Sequence, residues 1–249
     1  MTEQERQRAI RLKLARMGGQ PPTSVISTGF SGLDAALGAG GFPRGRIVEL
    51  FGASSTGKTT LALQIVAHIQ SLGMTAAWID AEHAFDPAYA AALGVAIARL
   101  PVVKPDTAEQ ALEIIRQLTV SHAVDLQVVD SAAALIPRLE LEAGFGDAGQ
   151  GLQGRVLASG LRNLAGPIAR SGAVVIFLNQ LRSRPEASQE DSETTAGGPS
   201  LKLYAAVRIS LEARAVDRIR FRVLKNKAAA AFREGDLLYR SALGFLNSP

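Results

Sequence analysis

One segment constrains the fold of this chain more than any other: Gly52-Ala53-Ser54-Ser55-Thr56-Gly57-Lys58-Thr59. It matches G-x-x-x-x-G-K-T, the phosphate-binding loop (P-loop), and lies between an apolar strand pattern at residues 47–51 and a helical pattern at residues 58–72. In that context backbone N–H groups surround phosphate oxygens, and the helix N-terminus adds a favourable dipole. We therefore predict an ATP site over residues 52–60, in which Lys58 reaches the β- and γ-phosphates, Thr59 holds Mg²⁺, and Thr60 is a further nucleotide contact.

Strand and helix patterns alternate along the rest of the chain. Further strands are predicted at residues 75–80, 124–130 and 173–179, and further helices after Asp86-Pro87, after Thr107 and at residues 152–169. Alternation in units of roughly 30 residues favours a parallel sheet with helices on both faces. Residues 203–211 and 219–224 predict strands with no helix between them, and hence an antiparallel extension at one edge. The predicted fold class is α/β, a P-loop NTPase core.

Composition excludes several classes of protein. The 249 residues suffice for one domain with a full core, and 47% of them are hydrophobic. No apolar run reaches the roughly 18 residues needed to cross a membrane, and no secretion signal precedes the core. The absence of cysteine excludes disulfides and Cys-based zinc sites and fits a reducing cytoplasm. The net charge of +4 is compatible with nucleic-acid binding without demanding it.

The N-terminus is predicted to be a separate arm. Thr2-Glu3-Gln4-Glu5 is typical of a capping box opening a helix, and Gly18-Gly19 with Pro21-Pro22 ends it. We therefore divide the chain into a basic helical arm with its linker, residues 1–22, and a core, residues 23–249. The arm docks on its own core or on a neighbouring subunit, or is a surface helix with a solvated basic face.

Carboxylates and an amide at predicted strand ends supply the remaining chemistry. Asp130 ends an apolar strand about 70 residues after the P-loop, which suits a metal-binding Asp. Glu82 follows the strand ending at Asp80 and is the candidate general base, provided that this strand neighbours the P-loop strand. Gln180 follows another strand and is a candidate sensor of the γ-phosphate. His83, beside Glu82, is assigned no role.

Together these motifs resemble those of bacterial RecA recombinases over roughly residues 24–246. The further matches are Ile26-Ser27-Thr28-Gly29, Leu37-Gly38-Ala39-Gly40-Gly41, Gly45-Arg46-Ile47-Val48-Glu49, Asp80-Ala81-Glu82-His83-Ala84-Phe85-Asp86-Pro87, Val128-Val129-Asp130-Ser131, Asn179-Gln180-Leu181-Arg182, Glu193-Thr194-Thr195, Gly197-Gly198 and Lys225-Asn226-Lys227. The resemblance implies a RecA-like core that binds ATP and Mg²⁺ and assembles on single-stranded DNA as a helical filament or a ring. The active site would then lie between adjacent subunits.

The resemblance also implies roles for individual residues. Glu82 would activate water, Asp86 and Tyr89 would contact adenine, and Gln180 would couple nucleotide to DNA. Lys225 and Lys227 would reach the ATP of the neighbouring subunit. Two loops, residues 140–150 and 183–195, would bind DNA. The associated DNA-binding positions are Arg155, Arg162, Arg182, Thr194, Thr195, Gly197, Gly198, Lys202 and Arg208.

The chain departs from the family pattern in its predicted DNA loops. Residues 185–191, Pro-Glu-Ala-Ser-Gln-Glu-Asp, are polar and acidic where the family carries bulky apolar residues, and the first loop ends Asp147-Ala148-Gly149-Gln150. Losing base-stacking wedges removes about 1–3 kcal/mol per base, so DNA binding is expected to be weaker or differently arranged. Leu203 replaces an interface aromatic, the arm is short, and the family's C-terminal domain is not in this sequence.

Two functions remain open on the sequence alone. The first is a DNA-dependent ATPase and recombinase of DNA repair and homologous recombination. The second is an accessory or regulatory protein of repair or translesion mutagenesis, with a translesion polymerase among its partners; the acidic loop favours this one. A third function, a hexameric helicase, is not supported, because the interface and loop motifs match recombinases instead.

Residues 218–223, Arg-Ile-Arg-Phe-Arg-Val, predict an edge strand with a solvated basic face or, alternatively, a basic stripe that follows a phosphate backbone.

Overall fold

The computed structural model describes residues 24–143, 151–183, 193–240 and 243–246. Its main sheet contains nine strands in the order β12-β11-β10-β9-β3-β7-β6-β4-β5, with β8 pairing antiparallel to β7. β1 and β2 form a separate two-stranded sheet. The strands are β1 Val25–Ile26, β2 Phe42–Pro43, β3 Ile47–Gly52, β4 Ala76–Asp80, β5 Val102–Val103, β6 Leu126–Asp130, β7 Val174–Ser183, β8 Glu193–Thr195, β9 Val207–Ala215, β10 Arg218–Asn226, β11 Glu234–Arg240 and β12 Gly244–Leu246.

Strands β9, β3, β7, β6, β4 and β5 run parallel, whereas β9 to β12 pair antiparallel. The α-helices are α1 Ser31–Leu37, α2 Lys58–Ser71, α3 Pro87–Ala92, α4 Ala108–Val120, α5 Arg138–Glu142, α6 Leu152–Ser171 and α7 Ser200–Tyr204. The predicted α/β class is confirmed, with its mostly parallel sheet and an antiparallel extension at one edge. No helix within the described ranges is long and apolar enough to cross a membrane.

Both faces of the sheet are covered, and the period-two alternation of each strand divides its side chains between two cores. On one face, Val48 and Leu50 of β3 pack with α1, α2 and α3. On the other, Ile47 packs with α4, α6 and α7. All six residues of β3 are buried, as expected for a central parallel strand. The P-loop therefore leaves the middle of a rigid sheet.

Two predicted helix starts are confirmed by their caps. The Asp86 carboxylate accepts hydrogen bonds from the N–H groups of Ala88 and Tyr89, and Pro87 occupies the first turn of α3. The Thr107 hydroxyl accepts from the Gln110 N–H at the start of α4. Each cap satisfies backbone donors that the first helical turn leaves unpaired.

The late strands differ from the sequence prediction in two ways. Residues 203 and 204, predicted to begin a strand, instead belong to α7 at residues 200–204, because Leu201 and Ala205 turn toward the core beneath α6. Strand β10 is not an edge strand, because β11 and β12 extend the sheet beyond it. The basic residues of β10 consequently face carboxylates across the strands, including Asp236 and Glu234 of β11. These ion pairs argue against a stripe free to follow a phosphate backbone.

The last strand, β12, is fastened to the P-loop helix by one side chain. The Gln64 amide donates to the carbonyls of Leu243 and Phe245, at 3.3 and 2.9 Å, and accepts from the Phe245 N–H at 2.7 Å. The Phe245 ring lies against Gly57, where an added Cβ would come within 2.6 Å of it. Gly57 also has a φ of +81°. This turn of the P-loop therefore requires glycine for both conformation and space.

We predict that Gln64→Leu lowers the free energy of unfolding by about 1–3 kcal/mol, since a similar volume remains while polar groups of the 243–245 segment lose their partner. The matched control is Gln117→Leu, because Gln117 is exposed on α4 and bonds only to Glu113 among the described side chains. The control should change unfolding by no more than about 0.5 kcal/mol. Urea denaturation without nucleotide measures both, and equal effects would contradict the role of Gln64.

Candidate functional site

The candidate site is assembled at the carboxyl edge of the parallel strands, where ligands bind in open α/β sheets. β3 ends in the P-loop, β6 ends at Asp130, and Glu82 follows β4. β4 does not neighbour β3, contrary to the condition set for Glu82, because β7 and β6 lie between them. Glu82 nevertheless reaches the site, because the N–H groups of Ala81 and Glu82 both donate to the Asp130 carbonyl, at 2.8 and 3.0 Å. This pair of bonds folds the end of β4 back over β6.

Lys58 lies folded onto the P-loop itself. Its ammonium donates to the carbonyls of Ala53 at 2.6 Å and Gly52 at 3.2 Å. Burial lowers the pKa of Lys58, while the nearby carboxylates of Asp130 and Glu82 act in the opposite direction. The loop is thus shaped before any phosphate arrives, and the ammonium is held beside the space that its backbone N–H groups surround.

Thr59 and Asp130 meet at the base of this space. The Thr59 hydroxyl donates to an Asp130 carboxylate oxygen at 3.0 Å, which joins the first turn of α2 to the end of β6. Asp130 is only 9% exposed. Burial, and then the charge of Glu82, raise the pKa of Asp130 to about 7.

This pair has the chemistry of a Mg²⁺ site. A hydroxyl and a carboxylate are hard oxygen donors, and in nucleotide sites Mg²⁺ takes one or two protein ligands besides phosphate oxygens and waters. A divalent cation would also compensate the buried negative charge that raises the Asp130 pKa. No cluster of three or more His, Asp or Glu side chains that could hold a metal alone occurs within the described ranges. Thr59 and Asp130 therefore fit a cation shared with a bound triphosphate.

Glu82 is positioned by the residue after Asp130. The Ser131 hydroxyl donates to a Glu82 carboxylate oxygen at 2.5 Å. Asp80, buried at the end of β4, accepts from the N–H groups of Ala84 and Phe85, both at 3.0 Å, and so fixes the turn that presents Glu82. The Glu82 carboxylate itself is exposed, so it is accessible to water. Ser131 lay within a matched motif, but the sequence assigned it no role, because no spacing rule connects it to Glu82.

Gln180 lies directly across the sheet from the first glycine of the P-loop. In the parallel pairing of β3 and β7, Gly52 is the partner of Gln180 and Phe51 is the partner of Asn179. The Gln180 side chain is exposed, and its backbone N–H donates to the Asn179 side-chain oxygen at 2.9 Å. On the other side of β3, an added Cβ at Gly52 would approach the carbonyl oxygen of Leu211 on β9 to 2.4 Å, so only glycine fits at this position.

A cavity of about 490 Å³ extends from the P-loop toward β9, β10 and β11. It is lined by residues 55–60, by the β9–β10 hairpin and by Tyr239. Tyr89 borders this region, because its hydroxyl and that of Thr60 share a hydrogen bond of 2.7 Å. Burial and then the neighbouring Tyr89 raise the pKa of Tyr239. An aromatic pair beside the phosphate end is suited to a nucleobase.

Tyr239 was missed from the sequence, because β11 itself was not predicted and a lone tyrosine in a strand carries no motif. Asp86, the other predicted adenine contact, presents an exposed carboxylate one helical turn from Tyr89. The structure therefore brings Asp86, Tyr89 and Tyr239 to one side of the P-loop helix.

Lys225 and Lys227 are not among the described residues that line this cavity. The Lys225 ammonium donates to the carbonyls of Lys202 at 2.7 Å and Leu203 at 3.0 Å, which are the unpaired acceptors at the C-terminus of α7. Burial and then the charge of Lys227 lower the pKa of Lys225. Lys227 is exposed. A single subunit thus holds its phosphate site and these two lysines in different places.

The predicted DNA contacts fall into two groups. Arg155, Arg162 and Lys202 are exposed, and the two arginines are seven residues apart on α6, on the side away from its buried leucines. Thr195 is buried. Gly197 packs so closely on α6 that an added Cβ would approach Leu157 to 2.5 Å, and Gly198 follows it with a φ of +76°. The side chains of Arg182 and Thr194 and residues 144–150 and 184–192 lie outside the described residues, as does the predicted arm at 1–22.

Arg208 requires a correction. Its guanidinium donates to the buried Glu49 carboxylate at 2.5 Å and lies 4.6 Å from the centre of the Phe51 ring. With 9% exposure, it belongs to the interior of the sheet and does not present a surface cation to DNA. The sequence could not indicate this, because a lone Arg in a strand is usually exposed.

Comparisons with known proteins were made on the whole chain. A family model described as the RecA N-terminal domain matches residues 11–244. Protein RecA of Chloroflexus aggregans is 48% identical over 234 residues, covering 90% of this chain and 67% of the relative. Protein RecA 1 of Myxococcus xanthus is 48% identical and covers 88% of this chain and 68% of the relative. The chain therefore spans about two thirds of the length of these relatives.

The fold comparison is independent of close sequence similarity. A crystal structure of the RadB recombinase superposes with a TM-score of 0.71 at 21% identity, covering 90% of this chain and all of that one. At this identity the match supports the fold alone.

We predict that Asp130→Asn stabilises the metal-free protein at neutral and alkaline pH while impairing any Mg²⁺-dependent activity. The Asp130 pKa is raised in the folded state, so its stabilising contribution is complete below about pH 4 and is lost as pH rises toward 7. Asparagine still accepts from Thr59 but carries no charge. The variant's advantage in unfolding free energy should grow between pH 4 and 7 to at most about 4 kcal/mol and then stay level.

Urea denaturation in EDTA at pH 5 and pH 8.5 measures this advantage. Asp125→Asn is the control. Burial raises the pKa of Asp125, but hydrogen bonds from Thr75 and Arg44 outweigh burial and lower that pKa, so loss of this carboxylate should destabilise. An Asp130→Asn variant that is less stable than the wild type at pH 8.5 would contradict the account of this carboxylate.

Proposed function

The chain belongs to the RecA family, and we propose that it is an ATP-dependent, single-stranded-DNA-binding recombinase that hydrolyses ATP between adjacent subunits. The observation that carries this proposal is the convergence of the P-loop, the Thr59–Asp130 pair and Glu82 at one sheet edge. A chain retained only as a scaffold has no chemical need for all three.

The proposed reaction uses each of these groups in turn. The P-loop N–H groups and Lys58 hold the phosphates, and Thr59 with Asp130 would hold Mg²⁺. When bound, that cation neutralises charge on the transferred phosphoryl group. Glu82 orients and deprotonates the attacking water, and the Ser131 hydroxyl holds one Glu82 oxygen so that the other faces the water. Asp86, Tyr89 and Tyr239 surround the adenine base.

Hydrolysis is proposed to depend on assembly, because Lys225 and Lys227 lie away from the phosphate site of their own subunit. Lys225 and Lys227 would complete the site of the next subunit, as an arginine finger does. In the isolated chain Lys225 caps α7 instead, at 2.7 and 3.0 Å from two carbonyl oxygens. Formation of a filament or ring would therefore have to release this lysine from α7.

Single-stranded DNA is proposed to bind along the exposed basic residues of α6 and α7, namely Arg155, Arg162 and Lys202. Arg182, Thr194, Gly197 and Gly198 border the second predicted loop and are proposed as further contacts, whereas Arg208 and Thr195 are withdrawn because both are buried. Acidic residues in that loop, Glu186, Glu190 and Asp191, repel phosphate and weaken binding at low salt.

The same acidic loop favours a second candidate, a RecA-like accessory protein of repair or translesion mutagenesis. Such a protein would bind ATP and a protein partner without a DNA-stimulated ATPase. The two candidates differ in one measurable property, the response of hydrolysis to DNA.

We predict that poly(dT) stimulates ATP hydrolysis by the purified chain at least about tenfold, because assembly brings the lysines of one subunit to the phosphates of the next. Lys58→Ala should abolish hydrolysis by removing the ammonium from the phosphates. Glu82→Gln should reduce hydrolysis at least about 100-fold while leaving ATP affinity within about threefold, since it removes the general base and leaves the P-loop intact. Steady-state phosphate release and binding of a fluorescent ATP analogue separate these effects.

Arg220→Gln is the control for loss of positive charge, because Arg220 is committed to Glu234 and Asp236 on β11. It should leave the DNA response unchanged. ATP binding without DNA stimulation in the wild-type chain would contradict the recombinase and favour the accessory protein.

A further inference from the structure

A charged cluster is buried inside the sheet, between the P-loop strand and the segment that follows the second predicted DNA loop. Glu49 on β3 and Asn179 on β7 have no exposed surface, and Arg208 on β9 is 9% exposed. Glu49 is the register partner of Arg208 in the β3–β9 pairing. These three side chains come from three adjacent strands.

The contacts within the cluster form a continuous chain. One Glu49 carboxylate oxygen accepts from the Arg208 guanidinium at 2.5 Å, and the other accepts from the Asn179 amide at 2.9 Å. The same amide donates to the Ala196 carbonyl at 3.1 Å, and its oxygen accepts from the Gln180 N–H at 2.9 Å. The Ala196 N–H in turn donates to the Gln180 carbonyl at 3.2 Å.

The cluster places polar side chains on an otherwise apolar face of the sheet. Along β3 and β7, Ile47, Val175 and Phe177 share this face and pack in the core beneath α6. The next positions toward the carboxyl edge, Glu49 on β3 and Asn179 on β7, lie on the same face by period-two alternation. The polar side chains of Glu49 and Asn179 therefore interrupt a packed apolar face close to the site, and the buried Phe51 follows Glu49 on that face.

Stability alone is a weak reason for such a cluster. Burying two charges costs desolvation that their attraction barely repays, and well-packed apolar residues of similar volume are often as stable or more so. What a buried ion pair provides is a fixed geometry, because each partner is costly to leave unpaired. A carboxylate is required at Glu49 in particular, since it accepts from both sides, whereas an amide has only one accepting oxygen.

The cluster holds groups from two parts of the proposed site, namely the nucleotide-binding strand and the segment next to the second predicted DNA loop. Glu49 lies three residues before Gly52, the first residue of the P-loop. Asn179 precedes Gln180 and holds its N–H. Ala196 begins the turn that leads to α7, whose terminal carbonyls hold Lys225. The cluster therefore spans nucleotide, sensor and DNA-loop elements in one rigid unit.

We propose that Glu49 is a positioning residue that couples the nucleotide strand to the segment after the second DNA loop, acting through Asn179 and held in place by Arg208. The coupling deepens the proposed function and rests on it. Movement of β3 on nucleotide binding is passed to Asn179, and through it to Gln180 and Ala196. Without Glu49 the P-loop still binds nucleotide, but residues 195–204 no longer respond.

The test compares Glu49→Gln, Asn179→Ala and the double variant with the wild-type chain. Arg208 and Asn179 donate to different oxygens of Glu49, and glutamine replaces one of these oxygens with an NH2 donor, so it breaks the link with little change in volume. The first readout is hydrogen exchange of residues 195–204 with and without a non-hydrolysable ATP analogue, which needs no DNA. We expect nucleotide to slow exchange there at least about fivefold in the wild type and less than about twofold in each variant. Analogue affinity should stay within about threefold.

The double variant distinguishes a positioning role for Glu49 from a general loss of stability, because the effects of two residues that act through one another do not add. If Glu49 acts through Asn179, the double variant loses no more of the nucleotide response than either single variant. Asp125→Asn is the control for a broken ion pair elsewhere, since it separates Asp125 from Arg44 outside the site and should keep the full response. Each variant is measured below its own unfolding transition, and Glu49→Leu with Arg208→Met supplies an uncharged cluster if Glu49→Gln does not fold.

The second readout is the ratio of ATPase rates with and without poly(dT), which should fall at least about fivefold in the cluster variants. A cluster variant that keeps the wild-type exchange response would overturn the inference, as would a wild type that shows none. A wild type whose 195–204 segment responds to nucleotide but whose ATPase ignores DNA would support the inference and contradict the recombinase instead.

Discussion

The hydrogen bond between Thr59 and Asp130 is the contact on which the rest of the site depends. It joins the first turn of the P-loop helix to the end of β6, two strands away from β3 in the sheet. Burial raises the pKa of Asp130, while this bond and the charge of Lys58 act in the opposite direction, and a bound cation would favour the ionised form further. The carbonyl of the same residue anchors the turn carrying Glu82, so the proposed metal ligands and the proposed general base share one support.

The order of strands in the sheet places Gln180, Tyr239 and Lys227 at different distances from the Thr59–Asp130 pair. β7 lies between β3 and β6 and carries Gln180 opposite Gly52, so Gln180, the proposed sensor, lies between the P-loop strand and the strand that ends at Asp130. The antiparallel strands β9 to β11 extend from the opposite side of β3 and supply Tyr239 to the cavity. The turn after β10 carries Lys227, beyond the end of its own subunit's phosphate site. In the proposed mechanism, Lys225 and Lys227 therefore reach a phosphate site only in a neighbouring subunit.

The sequence predicted what local chemistry determines. The P-loop, the strand ending at Asp130 and the Asp86 cap were predictable, because each combines a spacing rule with a periodic pattern in a short window. The helical conformation of residues 203 and 204 and the strands β11 and β12 were not, because contacts with distant segments decide such short elements. Arg208 shows the same limit. Its residue type suggested a surface cation, while Glu49, 159 residues earlier, decides its burial.

The central claim is that the ATPase site is divided between two subunits, and complementation between defective subunits tests it most directly. Glu82→Gln removes the base from one half, and Lys225→Gln with Lys227→Gln removes the cations from the other. Each variant alone should be inactive on poly(dT). Mixed in equal amounts, they should restore about a quarter of the wild-type rate, because about one interface in four pairs an intact Glu82 with intact lysines. A mixture as inactive as its components would contradict a shared site.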